Sequence, residues 1–266
     1  MKEFYLPGKE KIYYRKNDFD PKRKNVIFIH GFCGSSSVWI PYEKKFENKY
    51  NLLSIDLRGH GESFHPKDLN DYSIEKLSSD LYSIIKKEKL SNVILVAYSS
   101  GGLIAIDFIK EHKNIVKSMI LISADAAPKK DLTKVIVPFI SICPIINYFP
   151  QLKKNSRHVD YSKYIHTPEF NLKRMAEEVI NIGLRSYLFS LKQLYDFDIE
   201  YFLPSIKAPV LILHGKKDNT FSVEASIRMN KLIKNSKLII YKDYDHVILN
   251  NFENISSTFQ KFITKC

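Results

Sequence analysis

Residues 92–102 read Asn92-Val93-Ile94-Leu95-Val96-Ala97-Tyr98-Ser99-Ser100-Gly101-Gly102. The apolar run at 93–96 predicts a buried strand, and a helix-like stretch follows Gly102. A small-Tyr-Ser-Ser-Gly turn between them is how a chain lifts a serine hydroxyl onto a sharp corner. Small residues are needed on both flanks, because strand and helix backbones pass close together there. Ala97 supplies one flank and Gly101-Gly102 the other. An ordinary turn serine would need neither the strand before it nor the paired glycines after it. Ser99 is therefore a candidate nucleophile, and such a serine requires a base, an acid and an oxyanion hole elsewhere in the chain.

Outward from this turn, continuous apolar runs recur at 26–30, 52–56 and 119–123, with helix-like stretches between them. Continuous rather than alternating runs predict parallel strands buried on both faces. Ser73 predicts a helix start, with Ile74, Leu77, Leu81, Ile84 and Ile85 on one face. A Pro7-Gly8 turn predicts a short hairpin from residues 4–6 and 12–14. Strand and helix alternate, which makes the chain α/β. The alternation stops after Ala124. Residues 125–204 carry helix signals but no strand, among them Thr167-Pro168-Glu169 as a helix start with Thr167 as N-cap, and a second helix over 186–195. Strands resume at 210–214 and 238–241, and Phe252, Ile255, Phe259 and Phe262 predict a final amphipathic helix. The expected organisation is a core of residues 1–124 and 205–266, with 125–204 as a helical cap lying over one end of the sheet.

Catalytic residues of open α/β sheets come from loops at the carboxyl ends of strands. The polar segments after each run fit that rule: His30-Gly31-Phe32-Cys33-Gly34, Asp56-Leu57-Arg58-Gly59-His60-Gly61-Glu62-Ser63, Ser99, Gly215-Lys216-Lys217-Asp218 and Asp243-Tyr244-Asp245-His246. With these five segments in this order, the chain resembles the α/β-hydrolases over essentially its whole length. The resemblance implies a mostly parallel central sheet flanked by helices, with a helical cap inserted between two strands. Matched residue by residue, it implies Ser99 as nucleophile, Asp218 as acid and His246 as base. It also implies the backbone amides of Phe32 and Ser100 as the oxyanion hole. The chain order Ser…Asp…His is itself a known signature of this fold.

The departures leave that chemistry intact. Ala97 stands where the family usually has glycine, Ser100 replaces a larger residue, and Ser222 stands where a proline often follows the acid. A serine at the corner, rather than an aspartate, argues against a dehalogenase or an epoxide hydrolase. Tyr98, Ser100 and Phe139 are the first candidates for pocket walls. His30 is expected to brace the oxyanion loop, Asp56, Arg58 and His60 to hold the loop after their strand, and Asp243, Asp245 and Asp198 to be loop carboxylates. Cys33 reads as a small packing residue. The remaining histidines show no metal-ligand spacing.

Composition bounds the partners. The chain has 266 residues, 44% apolar and 26% charged, with a net charge of +12 that is mostly dispersed lysine. A nucleic-acid footprint would be a concentrated stripe on a recognisable module, and none is present. The charge suits weak attraction to anionic surfaces or to an acidic carrier protein. The apolar stretch at 135–149 is too short to span a bilayer and is broken by Pro138 and Pro144. Three cysteines, Cys33, Cys143 and Cys266, suggest no disulfide framework and a cytoplasmic setting. The expected activity is hydrolysis of small to medium acyl or aryl esters without a cofactor or metal. Carbon–carbon bond hydrolysis, esters of an acyl carrier protein and monoacylglycerols are rival substrates for the same triad. A non-catalytic ligand-binding module is the rival from a different class.

Overall fold

In the computed structural model, residues 1–129, 146, 158–165 and 167–266 are described. Eight strands form one sheet: β1 (Lys2–Tyr5), β2 (Tyr13–Lys16), β3 (Asn25–Ile29), β4 (Asn51–Ile55), β5 (Val93–Tyr98), β6 (Val116–Ile122), β7 (Val210–Gly215) and β8 (Ser236–Tyr241). Their order is β1-β2-β4-β3-β5-β6-β7-β8. The pairings β1–β2 and β2–β4 are antiparallel, and all others are parallel. The hairpin pairs Lys2 with Lys16 and Tyr5 with Tyr13, so its strands overlap the expected segments and extend further from the turn.

The continuous apolar runs are explained by two cores, one on each face of the sheet. Ile27, Ile29, Leu95, Ala97 and Leu121 point into one, where they meet Leu77, Leu81 and Ile84 of α2 (Ile74–Lys87) and Leu103 and Ile106 of α3 (Gly101–His112). The alternate residues Val26, Phe28, Ile94, Val96, Ile120 and Ile122 point into the other. There they meet Tyr42 and Phe46 of α1 (Ile40–Phe46), and Ile255, Phe259 and Ile263 of the last helix (Phe252–Lys265). Successive strand residues face opposite sides, so a strand covered on both must be apolar throughout. Ser73 caps α2 as expected, its hydroxyl accepting from the Lys76 amide at 3.3 Å.

Between β6 and β7, which are neighbours in the sheet, the described residues form helices and no strand. They include α4 (Leu172–Ile182) and α5 (Leu184–Asp196). The helix expected with Thr167 as N-cap starts four residues later, with Asn171 as N-cap accepting from the Arg174 amide at 2.9 Å. The Thr167 hydroxyl instead donates to the Tyr164 carbonyl at 2.9 Å, closing the preceding turn. The next helix, α6 (Val223–Leu232), follows β7, and α7 is the last helix.

Strand order reverses between β3 and β5, since β4 lies to one side of β3 and β5 to the other. Crevices outside the carboxyl ends of strands at such a point are where open α/β sheets bind ligands. The loop holding Phe32 and the turn holding Ser99 both start there.

Candidate active site

Ser99 stands directly after β5 with φ of +53°, in the left-handed region that a residue with a side chain adopts at a cost. The tight corner explains the small residues around it. A Cβ on Gly101 would lie 2.6 Å from the His30 carbonyl oxygen, and one on Gly102 would lie 2.6 Å from the Cβ of Ala124. On the other side of the serine, a Cβ on Gly31 would lie 2.9 Å from the Ser99 Cβ. The strand, the turn and the loop after β3 therefore approach too closely for side chains at these glycines.

Ser99, Asp218 and His246, far apart in sequence, meet in one hydrogen-bonded line. Asp218 Oδ2 lies 2.8 Å from His246 Nδ1, and His246 Nε2 lies 3.0 Å from Ser99 Oγ. A carboxylate only accepts, so Nδ1 carries the imidazole proton, and Nε2 is left to accept from the serine hydroxyl. The other oxygen of Asp218 accepts from the amides of Thr220 and Phe221 at 2.9 and 2.8 Å. Those bonds fix the carboxylate before the imidazole reaches it. Among the described residues neither the Phe32 nor the Ser100 amide donates to a backbone acceptor.

A cavity of about 380 Å³ opens over this line. Phe32, Tyr98, Phe170, Met175, Tyr187 and Leu191 supply apolar wall, and Ser99 and His246 lie at its base. Tyr98 lines the cavity, and its hydroxyl donates to the His246 carbonyl at 3.1 Å. Ser100 does not line it: its backbone already turns into α3, so the side chain is carried away from the wall. Phe139 lies outside the described residues. Cys33 proves to be a wall residue rather than packing alone, and burial pushes its thiol well above the ordinary range.

The supporting loops are tied by buried polar bonds. His30 Nδ1 donates to the Gly31 carbonyl at 2.7 Å and its Nε2 accepts from the Leu57 amide at 3.0 Å, joining the loops after β3 and β4. Burial lowers its pKa, consistent with a neutral ring making those two bonds. Asp56 accepts from the Ser36 amide at 2.7 Å, the Glu62 amide at 2.8 Å and His158 Nε2 at 2.7 Å. Burial opposes ionisation of Asp56, yet the hydrogen bond and charge of His158 outweigh it and bring the carboxyl down to about 2. For His158 burial pulls the other way, and Asp56 lifts the imidazole above its ordinary value. Arg58 makes two bonds to Asp80, at 2.9 and 2.7 Å.

Three groups at the site escaped the sequence reading. Glu169, buried, accepts from the Asn219 amide at 3.0 Å and from the Thr220 hydroxyl at 2.5 Å, while its own amide donates to Asp245 at 2.9 Å. It binds the inserted segment to the loops that carry both Asp218 and His246. His214 lies buried beneath Asp218, its Nε2 donating to the Phe221 carbonyl at 3.1 Å and its Nδ1 accepting from Ser226 at 2.8 Å. Arg174 and Glu178 of α4 line the cavity. The sequence carried a signal only for His214, the last polar residue of an apolar run. Among the described residues no helix is long and apolar enough to cross a membrane.

A profile for the family described as the alpha/beta hydrolase fold matches residues 24–250. The AB hydrolase superfamily protein YisY of Bacillus subtilis (strain 168) is 29% identical over 262 residues, covering 89% of this chain and 90% of that one. A 107-residue stretch is 41% identical to "Probable lysophospholipase BODYGUARD 4" of Arabidopsis thaliana. It covers 40% of this chain, and the chain spans only about a quarter (26%) of that plant protein. Among solved structures, the esterase EaEST of Exiguobacterium antarcticum superimposes with a TM-score of 0.75 at 22% identity, over 96% of each chain.

Proposed function

The chain belongs to the alpha/beta-hydrolase family, and on that premise we propose that it is a serine hydrolase of carboxylic esters with small to medium acyl or aryl groups. The observation that carries this reading is the unbroken line from Asp218 through His246 to Ser99. His246 Nε2 removes the hydroxyl proton as Ser99 Oγ attacks the ester carbonyl. The tetrahedral oxyanion is held by the amides of Phe32 and Ser100, each such donor being worth about 3–4 kcal/mol at the transition state. Collapse breaks the carbon–oxygen bond, and the imidazolium gives its proton to the departing alkoxide. A water, deprotonated by His246, then cleaves the acyl-enzyme and restores the serine. In this reading residues 125–204 form a cap over a core of 1–124 and 205–266, and its helices close the pocket from above.

The pocket supports the substrate class. Its volume of about 380 Å³ lies at the small end of the roughly 300–1,000 Å³ typical of ligand sites, and aromatic and aliphatic walls suit an acyl chain better than a peptide. A series of p-nitrophenyl esters from acetate to palmitate tests this. The kcat/KM should peak at short to medium chains and fall by hexadecanoate; a maximum at palmitate, or no turnover of any member, contradicts it.

A further inference from the structure

Helix α4 carries charge on its cavity side. Its apolar residues Leu172, Ala176 and Ile180 are exposed, Leu172 at 82%, while Met175 and Val179 line the cavity and Ile182 is buried. The side chains of Arg174 and Glu178, one turn apart, are only 12% and 13% exposed and line the cavity over Ser99. Amphipathic surface helices ordinarily keep such charged residues on the solvent side. Taking an ion pair out of water is unfavourable unless its geometry is excellent. Here the Arg174 Nη1 to Glu178 Oε1 contact is long, at 3.4 Å, so the pair is poorly explained as a source of stability.

Of the rest of the guanidinium, Nη2 donates to the Glu169 carbonyl, and Nε is buried with no hydrogen-bond partner among the described residues. Glu178 Oε1 also accepts from the Tyr161 hydroxyl at 3.1 Å, while Oε2 accepts no hydrogen bond among the described residues. Tyr161 fixes where this carboxylate lies. A Cβ on Gly34 would sit 3.6 Å from the Tyr161 hydroxyl, which places the cluster against the loop that carries Phe32. Burial raises the pKa of the Glu178 carboxyl, and Arg174 pulls it back.

We propose that Glu178 Oε2 is the acceptor of a substrate subsite for a neutral hydroxyl near the scissile carbonyl. The preferred substrates are then hydroxylated esters, such as those of a polyol or of a hydroxy acid. The charges of Arg174 and Glu178 offset each other here, so neither an anion nor an ammonium gains a net attraction. A neutral hydroxyl needs no counter-charge and donates to Glu178. This specificity rests on the ester-hydrolase reading given above.

Matched esters test it, each hydroxyl being compared with a methyl in the same position: 2-hydroxyethyl butyrate against propyl butyrate, and methyl 3-hydroxybutyrate against methyl isovalerate. The first pair carries the hydroxyl on the alcohol and the second on the acyl group. The wild-type protein should favour the hydroxyl member of at least one pair about tenfold or more in kcat/KM, as a hydrogen bond to a charged acceptor allows. Glu178→Leu should bring that ratio to about one, and Glu178→Gln, which keeps a weaker acceptor, should leave it between the two. Because each ratio is taken within one variant, a general loss of activity cancels. If the leucine variant does not fold, the glutamine variant decides, and an unchanged ratio there overturns the subsite. Ratios near one for wild type on both pairs overturn it as well. So does a preference for butyrylcholine over 3,3-dimethylbutyl butyrate larger than either hydroxyl preference, since Glu178 would then be selecting charge. In those cases ester hydrolysis itself stands. Absence of turnover on every ester overturns both readings together.

Discussion

Replacing Asp56 with asparagine is expected to cost about 3 kcal/mol of stability and to erase two features of the pH profile. The wild-type carboxylate serves three donors, the amides of Ser36 and Glu62 and the imidazole of His158. Asparagine keeps one oxygen for one of them and turns an NH₂ toward another. Removing one partner of a buried pair costs about 3–5 kcal/mol. His158, with 23% of its side chain exposed, can turn toward water, which puts the expectation at the low end. For a chain of this size the midpoint should fall by roughly 6–12 °C.

The pH dependence follows from both partners. The Asp56 carboxyl lies at about 2 when folded against an ordinary 3.8. Its contribution, about 2 kcal/mol, is complete above pH ~4 and is lost as pH falls toward 2. His158 is raised on folding, so its contribution is complete below its ordinary 6.5 and is lost as pH rises through the folded value. The pair is therefore strongest between about pH 4 and 6.5. Urea unfolding from pH 3 to 9, followed by the fluorescence of the single, buried Trp39, reads both limbs. An Asp56→Asn protein within 1 kcal/mol of wild type, or one with the same pH profile, would refute the reasoning.

Ser99→Gly should be more stable than Ser99→Ala by about 1 kcal/mol, because both lack the hydroxyl and only glycine adopts the φ of +53° freely; paired thermal melts check this. Gly101→Ala should lose about 1–3 kcal/mol or more, since its Cβ would press on the His30 carbonyl at 2.6 Å and wedge α3 from β3. Denaturant midpoints read that cost. Asp218→Asn should keep the fold but lower kcat on p-nitrophenyl acetate by about 10⁴, because asparagine favours the wrong imidazole tautomer. Steady-state kinetics with circular dichroism as control separates the two effects.

The sheet was legible because burial on both faces leaves no freedom in composition: residues 93–98 had to be apolar, and β5 spans those positions. The grouping of Ser99, Asp218 and His246 was what the resemblance to the α/β-hydrolases implied, and their places just past strand ends agreed with it. The insert was harder to read. Periodicity says nothing of which way the polar arc of a helix faces, so it gave no reason to single out Arg174 and Glu178. Thr167 offered a hydroxyl that two turns could use, and the earlier one took it. Glu169 and His158 act through partners about 50 and 100 residues away, Asn219 and Thr220 for one and Asp56 for the other. No local pattern records such pairings.

Everything chemical here depends on the hydroxyl of Ser99, and a fluorophosphonate probe reads it directly. Wild-type protein should take one label per chain and hydrolyse p-nitrophenyl acetate. Ser99→Ala should take none and lose about 10⁴ or more in kcat. Undiminished turnover in that variant, or a label on another residue of the wild type, would contradict the assignment.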